Sequence, residues 1–170
     1  MKRNVDRGYV GFEKPFAATW NQAGVWAYAI HNGFKSYREL NQPELVAEGI
    51  RTIGMTNLKK TGGGATAIHS MIKKHAQSHV SLWREELILM NPQLIICCGT
   101  FALVKNGLGL AAERLMIHQG KQYWFVRWER EGYITIVMQF LHPACRNNRT
   151  ETLGLLHSLV TKLKEIGALA

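Results

Sequence analysis

The sequence predicts an α/β fold: a three-layer α/β/α sandwich around a short, mainly parallel central sheet. Three observations carry that prediction. Segments with helical apolar spacing alternate with β-rich runs, the pattern of strands connected by crossing helices. The run QLIICC at residues 93–98 is apolar on both faces, as a central parallel strand covered on each side must be. No repeat, low-complexity tract or Pro/Gly/Ser linker interrupts the 170 residues, so the chain reads as a single domain, 1–170, with one core.

The elements follow in order. Residues 1–15 are polar and glycine-punctuated, without clear periodicity. From 20 to 32, Trp20, Ala23, Ala27 and Ile30 fall on one helical stripe, and Gly33 supplies a stop. Pro43 opens a second helix that runs to about Gly49. TIGMTNL, residues 52–58, reads as a short strand and leads into the basic, glycine-rich loop KKTGGG. A long helix is expected over residues 65–90, with Ile68, Met71, Ile72, Val80, Trp83 and Leu87 on its apolar stripe and Pro92 ending it. After the strand at 93–98, Gly99 and Thr100 make a tight turn into a helix at 101–106. Residues 123–129 and 133–141 are β-rich runs flanking residues 130–132, and an amphipathic helix at 150–166 closes the chain.

Composition narrows the function classes. Hydrophobic residues make up 46% and charged residues 19%, which excludes a disordered or collagen-like chain. No apolar run approaches the ~20 residues a membrane span needs, and the basic start MKRNVDRG has no apolar stretch behind it, so a cytoplasmic location is expected. Lys and Arg number 21 against 12 Asp and Glu, a formal net charge of +9. Such a charge suits a polyanionic partner, since each neutralised phosphate releases condensed counterions, although a merely soluble basic surface has the same composition. The only cysteines are Cys97, Cys98 and Cys145; with no CxxC pair, neither a zinc ribbon nor a four-cysteine iron–sulfur cluster is expected.

In open α/β sheets, ligands bind beyond the carboxyl ends of the strands. Three loops here fit that description: residues 57–64, 99–101 and 142–149. The first carries Lys59, Lys60, Gly62, Gly63 and Gly64, whose amides and ammonium groups suit phosphates. It is no Walker A loop, because the lysines precede the glycines and no GK[ST] follows; a solvated turn has the same composition. His75 and His79 have the i, i+4 spacing of metal ligands, but without a third ligand a helix face is expected. Tyr123, Trp124 and Trp128 suit packing on a sheet face better than a stacking platform.

PFA at 15–17 precedes a Trp-containing helix that ends in Gly33-Phe34. MTNLKK at 55–60, NPQLIICCGTFA at 91–102 and LHPA at 141–144, the last followed by an Arg/Asn-rich loop, come next in order. Across residues 14–165 this series resembles the uracil-DNA glycosylase superfamily, closest in pattern to its mismatch-specific and other cluster-free branches. The chain departs from the family at the front: the strand that carries the water-positioning motif is missing or truncated in KRNVDRG. Counting back from Phe16 without gaps, Asn4 lands where the mismatch-specific branch has its water-binding Asn, with Asp6 and Glu13 close enough to compete.

The resemblance implies a monofunctional DNA glycosylase. It would hydrolyse the N-glycosidic bond of a flipped, non-standard pyrimidine (deaminated, mismatched or phage-type hypermodified), leave an abasic site, and use no metal or organic cofactor. Its catalytic residues would be His142, donating to the departing base, and Asn4 or Asp6, positioning water. Asn57 would read the base edge and Phe16 would stack on the base, at ~1–3 kcal/mol. As residues alone, Asn57 can equally cap a turn and Phe16 can equally be core. Lys59, Lys60, Gly62, Gly63, Arg146 and Arg149 would contact DNA, double- or single-stranded, with the protein acting as a monomer. Two alternatives remain open: a catalytically inactive module of the same fold that recognises modified or damaged DNA, and an enzyme of free nucleosides.

Overall fold

The computed structural model describes residues 18–58, 68–143 and 148–169. The chain forms two compact units: Met1–Ile53 with Leu141–Val160, and Gly54–Phe140 with Thr161–Ala170.

The regular structure among the first unit's described residues is all helical. Helix α1 (Ala18–Asn32) is buried on nearly every side from Gln22 to Ala27, a wider apolar surface than its predicted stripe. Gly33, at φ +96°, ends it by returning its N–H to the Ala29 carbonyl at 3.0 Å. The next ring, Phe34, stacks on His157 with centroids 4.4 Å apart. A short helix that the sequence pattern did not suggest, α2 (Tyr37–Leu40), is held by a capping box. In it the Glu39 N–H donates to Ser36 Oγ and the Ser36 N–H to Glu39 Oε2. The Ser36 hydroxyl and then the Ser36 N–H, both donating to Glu39 Oε2, hold the Glu39 carboxyl below its usual value. Helix α3 (Pro43–Arg51) starts on Pro43 as expected. It crosses α1 at a glycine pair. A Cβ on Gly49 would lie 2.1 Å from the Gly24 carbonyl oxygen and 2.8 Å from the Tyr28 nitrogen, so the two backbones touch. The closing helix α7 (Arg149–Glu165) contributes its residues through Val160 to this unit.

The second unit holds the sheet. The helix expected over 65–90 is two helices, α4 (His69–Ser78) and α5 (Val80–Met90), broken at His79 (φ −125°, ψ 33°). Asn91 in the left-handed region and Pro92 end α5. Strand β1 (Leu94–Cys98), the turn at Gly99 (φ +77°) and helix α6 (Phe101–Leu108) form where the sequence places them, but β1 lies at an edge of the described sheet rather than at its centre, and of its five residues only Cys97 is buried. Strands β2 (Glu113–His118), β3 (Lys121–Arg130) and β4 (Tyr133–Phe140) complete a sheet of order β1-β4-β3-β2.

The α/β class holds, but the sheet described is mixed rather than mainly parallel. Only β1 and β4 run parallel, pairing Leu94 with Ile136 through Cys98 with Phe140. The reason lies in two turns. Gln119-Gly120 and Glu131-Gly132 all have positive φ, the two-residue geometry that folds a chain into antiparallel hairpins. The strand expected at 52–58 does not form: residues 53–57 have no regular secondary structure and pair with no strand among the described residues. Side chains anchor the segment instead. Thr56 donates to Glu86 at 2.7 Å, and Leu58 joins the core around Trp83, Leu87, Val104, Val126 and Val137. That core closes tightly where a Cβ on Gly107 would fall 2.3 Å from the Trp83 ring. Trp83 also donates its indole N–H to the Ala76 carbonyl at 2.9 Å. No helix among the described residues is long and apolar enough to cross a membrane.

Candidate functional site

The two parallel strands fix where chemistry can gather in the sheet unit, because their carboxyl ends lie at the same end of the sheet. Beyond β1 that end is the Gly99-Thr100 turn, whose Thr100 carbonyl accepts from Leu103 and Val104 to start α6. Cys97 sits just before the turn. Burial, reinforced by the adjacent Cys98, pushes its thiol up to about 12, against an opposing hydrogen bond with Thr100. At neutral pH it is a protonated core side chain, without the thiolate a nucleophile needs.

Asn57 belongs to this unit as well. Its neighbours pin the backbone on both sides, Thr56 through Glu86 and Leu58 through the core, while Asn57 itself is exposed. No hydrogen bond spends its carboxamide among the described residues, so donor and acceptor both stay available. The turn-capping alternative has no described partner to rest on.

His142 and Arg149 belong to the helical unit. The chain leaves β4 at Phe140 and reaches His142, an exposed residue, two positions later. Arg149, also exposed, opens α7 beside a capped turn in which Asn148 Oδ1 accepts from the Thr150 N–H at 3.0 Å. Its guanidinium donates to the Tyr37 hydroxyl at 3.3 Å and lies 6.0 Å over the Tyr37 ring. The Tyr37 hydroxyl in turn has Asn21 Oδ1 at 3.3 Å and Asn41 Oδ1 at 3.4 Å. Arg149 is therefore tied to its own unit, with charge to spare for a phosphate but less freedom to reach one. The remaining candidates, Asn4, Asp6, Glu13, Phe16, Lys59, Lys60, Gly62, Gly63, Gly64 and Arg146, lie outside the described residues.

Two further features escaped the sequence, the buried Gln22 and a set of exposed cations; the histidine pair was already visible there. Gln22 is only 3% exposed, and neither Oε1 nor Nε2 of its carboxamide has a hydrogen-bond partner among the described residues. Nothing in the local pattern marks it, because a single polar residue in a helix is ordinarily placed on the wet side. His75 and His79 stack at 5.7 Å, and His79 Nδ1 lies 3.0 Å from the His75 carbonyl. No group of three or more His, Cys, Asp or Glu among the described residues could hold a metal ion. Finally, Lys73 and Lys74 on α4 and Arg84 on α5 are exposed and, among the described residues, unpaired. Comparisons with protein-family models, curated proteins and solved structures return no match.

Proposed function

We propose that the protein is a monofunctional DNA glycosylase acting on a flipped, non-standard pyrimidine. The observation that carries the reading is the parallel β1–β4 pair, which sends NPQLIICCGTFA and LHPA from strands with a common carboxyl end. The exposed, uncommitted carboxamide of Asn57 supports it, since reading a pyrimidine edge takes an available donor and acceptor. In this reading Asn57 selects the base and Phe16 stacks on it. His142 donates to the negative charge that grows on the base as the bond to C1′ lengthens. Asn4 or Asp6 holds the water that attacks the sugar. The three-layer arrangement, DNA as partner, a monomeric state and a cytoplasmic location belong to the same proposal.

The test is base release from duplexes containing uracil, a thymine mismatch or a hypermodified cytosine, read as strand scission after abasic-site cleavage. His142→Ala is expected to lower the single-turnover rate by roughly 10²–10³-fold with DNA affinity nearly intact, because such a donor acts mainly in the transition state. Absence of abasic sites on all three substrates overturns the reading. A second reading, an inactive DNA-binding module, draws on the departure of KRNVDRG from the water-positioning motif of the family the chain resembles. Tight binding of a modified duplex without base release at any enzyme concentration would select it.

A further inference from the structure

We infer that the outer face of α4 and α5 is a phosphate-binding surface that seats one strand of a DNA backbone; this rests on the DNA reading above and says where the duplex lies. From Gly49 through Arg84 the chain contains no aspartate or glutamate, while Arg51, Lys59, Lys60, Lys73, Lys74 and Arg84 are all cationic. A stretch with so one-sided a charge lacks the interspersed carboxylates with which an ordinary solvated helix offsets its lysines.

The structure turns the later part of that stretch into a face. Ser70, Lys73, Lys74, Gln77, Ser81 and Arg84 are all exposed and recur at three- and four-residue intervals. Backbone bonds join the two helices at the break. The His79 N–H still donates to the His75 carbonyl at 3.1 Å, and the Trp83 N–H to the His79 carbonyl at 3.2 Å. Ala76, Trp83 and Leu87 occupy the opposite, buried side. At 1.5 Å per residue, Ser70 and Gln77 are ~10 Å apart along α4, enough to follow neighbouring phosphates of one strand, with Ser81 and Arg84 adding to it from α5.

The three cations are uncommitted. Arg127 faces Glu113 and Lys162 faces Glu165, whereas Lys73, Lys74 and Arg84 have no carboxylate or hydrogen-bond partner among the described residues. Glu85 marks the end of the stripe, and Glu86 accepts from Thr56. Met71 and Leu82 are exposed on the flank of the face rather than within it, so its centre is purely polar. Uncommitted cations among serine hydroxyls and a glutamine amide bind phosphate oxygens without reading sequence. The expected contribution is thus to affinity and salt dependence, not to choice of base.

The experiment measures anisotropy of a labelled duplex with one uracil–guanine mismatch, across a potassium chloride series. It compares the intact protein with the double variant Lys73→Gln/Lys74→Gln, with Arg84→Gln, and with Lys162→Gln as a control at an ion-paired lysine. Circular dichroism verifies that each is folded. The slope of log affinity against log salt should fall by about 0.9 for each phosphate that is no longer neutralised, hence by about 1.8 in the double variant, with no change for Lys162→Gln. Wild-type slopes in the double variant and in Arg84→Gln, against steep binding by the intact protein, would overturn this surface and leave the DNA reading standing. Binding without salt dependence by the intact protein would overturn the DNA reading itself. Tighter binding of an RNA duplex of the same sequence, abolished in the same variants, would replace DNA as the occupant.

Discussion

Trp83 in the sheet unit and Gln22 in the helical unit are both buried side chains with a polar end, and their surroundings treat that end in opposite ways. Trp83 is fully enclosed, fits against Gly107 and passes its indole N–H to the Ala76 carbonyl at 2.9 Å. Gln22 is as deeply enclosed, but its carboxamide has neither donor nor acceptor in reach among the described residues. A buried polar group left unmatched costs roughly 1–3 kcal/mol, whereas a matched one is mildly favourable. Trp83 is thus a polar end that its core matches, whereas Gln22 is one that packing alone would have replaced; the contrast is between these two sites, since the sheet unit also buries Arg130 Nε and Gln139 Oε1 without a partner among the described residues. Sequences depart from packing rules in this way chiefly where function requires it.

The largest expected effect sharpens the first half of that contrast. Trp83→Ala should lower unfolding free energy by about 3–5 kcal/mol, because it empties the centre of the sheet-unit core. Urea denaturation monitored by circular dichroism measures it, and a decrease below about 1 kcal/mol would show that the core re-forms without the ring. Next in size is the glycine crossing of the helical unit. Gly49→Ala places a methyl group against backbone, not against a side chain that can turn aside, and should cost about 2–3 kcal/mol as α1 and α3 part. Gly154→Ala on α7 is its counterpart: nothing lies within 4 Å of the new Cβ, so helix propensity should add ~0.5–1 kcal/mol. Equal effects at the two glycines would break the assignment of the crossing as close-packed. The smallest effect bears on the contrast most directly. Gln22→Met keeps length and removes the amide, and should raise stability by about 1 kcal/mol in the same urea assay. A lowered midpoint would show that the carboxamide is satisfied after all.

Much of the fold was legible in the sequence where the signals are local. Gly33, Pro43, Pro92 and the Gly99-Thr100 turn punctuate the chain where it bends, and the apolar run at 94–98 forms a parallel-paired strand, at an edge of the described sheet and not at its centre. The failures share a cause. TIGMTNL has the look of a strand, but a strand exists only with a partner, and pairing is a property of distant residues. Strand β2 (ERLMIH) was missed for the converse reason: charged ends mask its pattern, and β3 recruits it through a two-residue turn. The break at His79 contains neither glycine nor proline to announce it. For the candidate site, Asn57 and His142 were reached through motif order. Lys73 and Lys74 belong to no motif, and the burial of Gln22 depends on packing around all of α1 rather than along one stripe.

The mixed sheet also sets a timetable for the chain as it is made. Strands β2, β3 and β4 are joined by turns of two residues, and hairpins of this kind close within about 1–10 μs of being available. Strand β1 is different, because its neighbour β4 lies roughly forty residues further along. At ~5–20 residues per second, a ribosome needs about 2–8 s to deliver that stretch. For those seconds LIICC, without a charge or a proline, waits for β4, its partner among the described residues, and needs shelter from its own copies. The meander that follows it assembles almost at once and becomes the template on which β1 is finally laid.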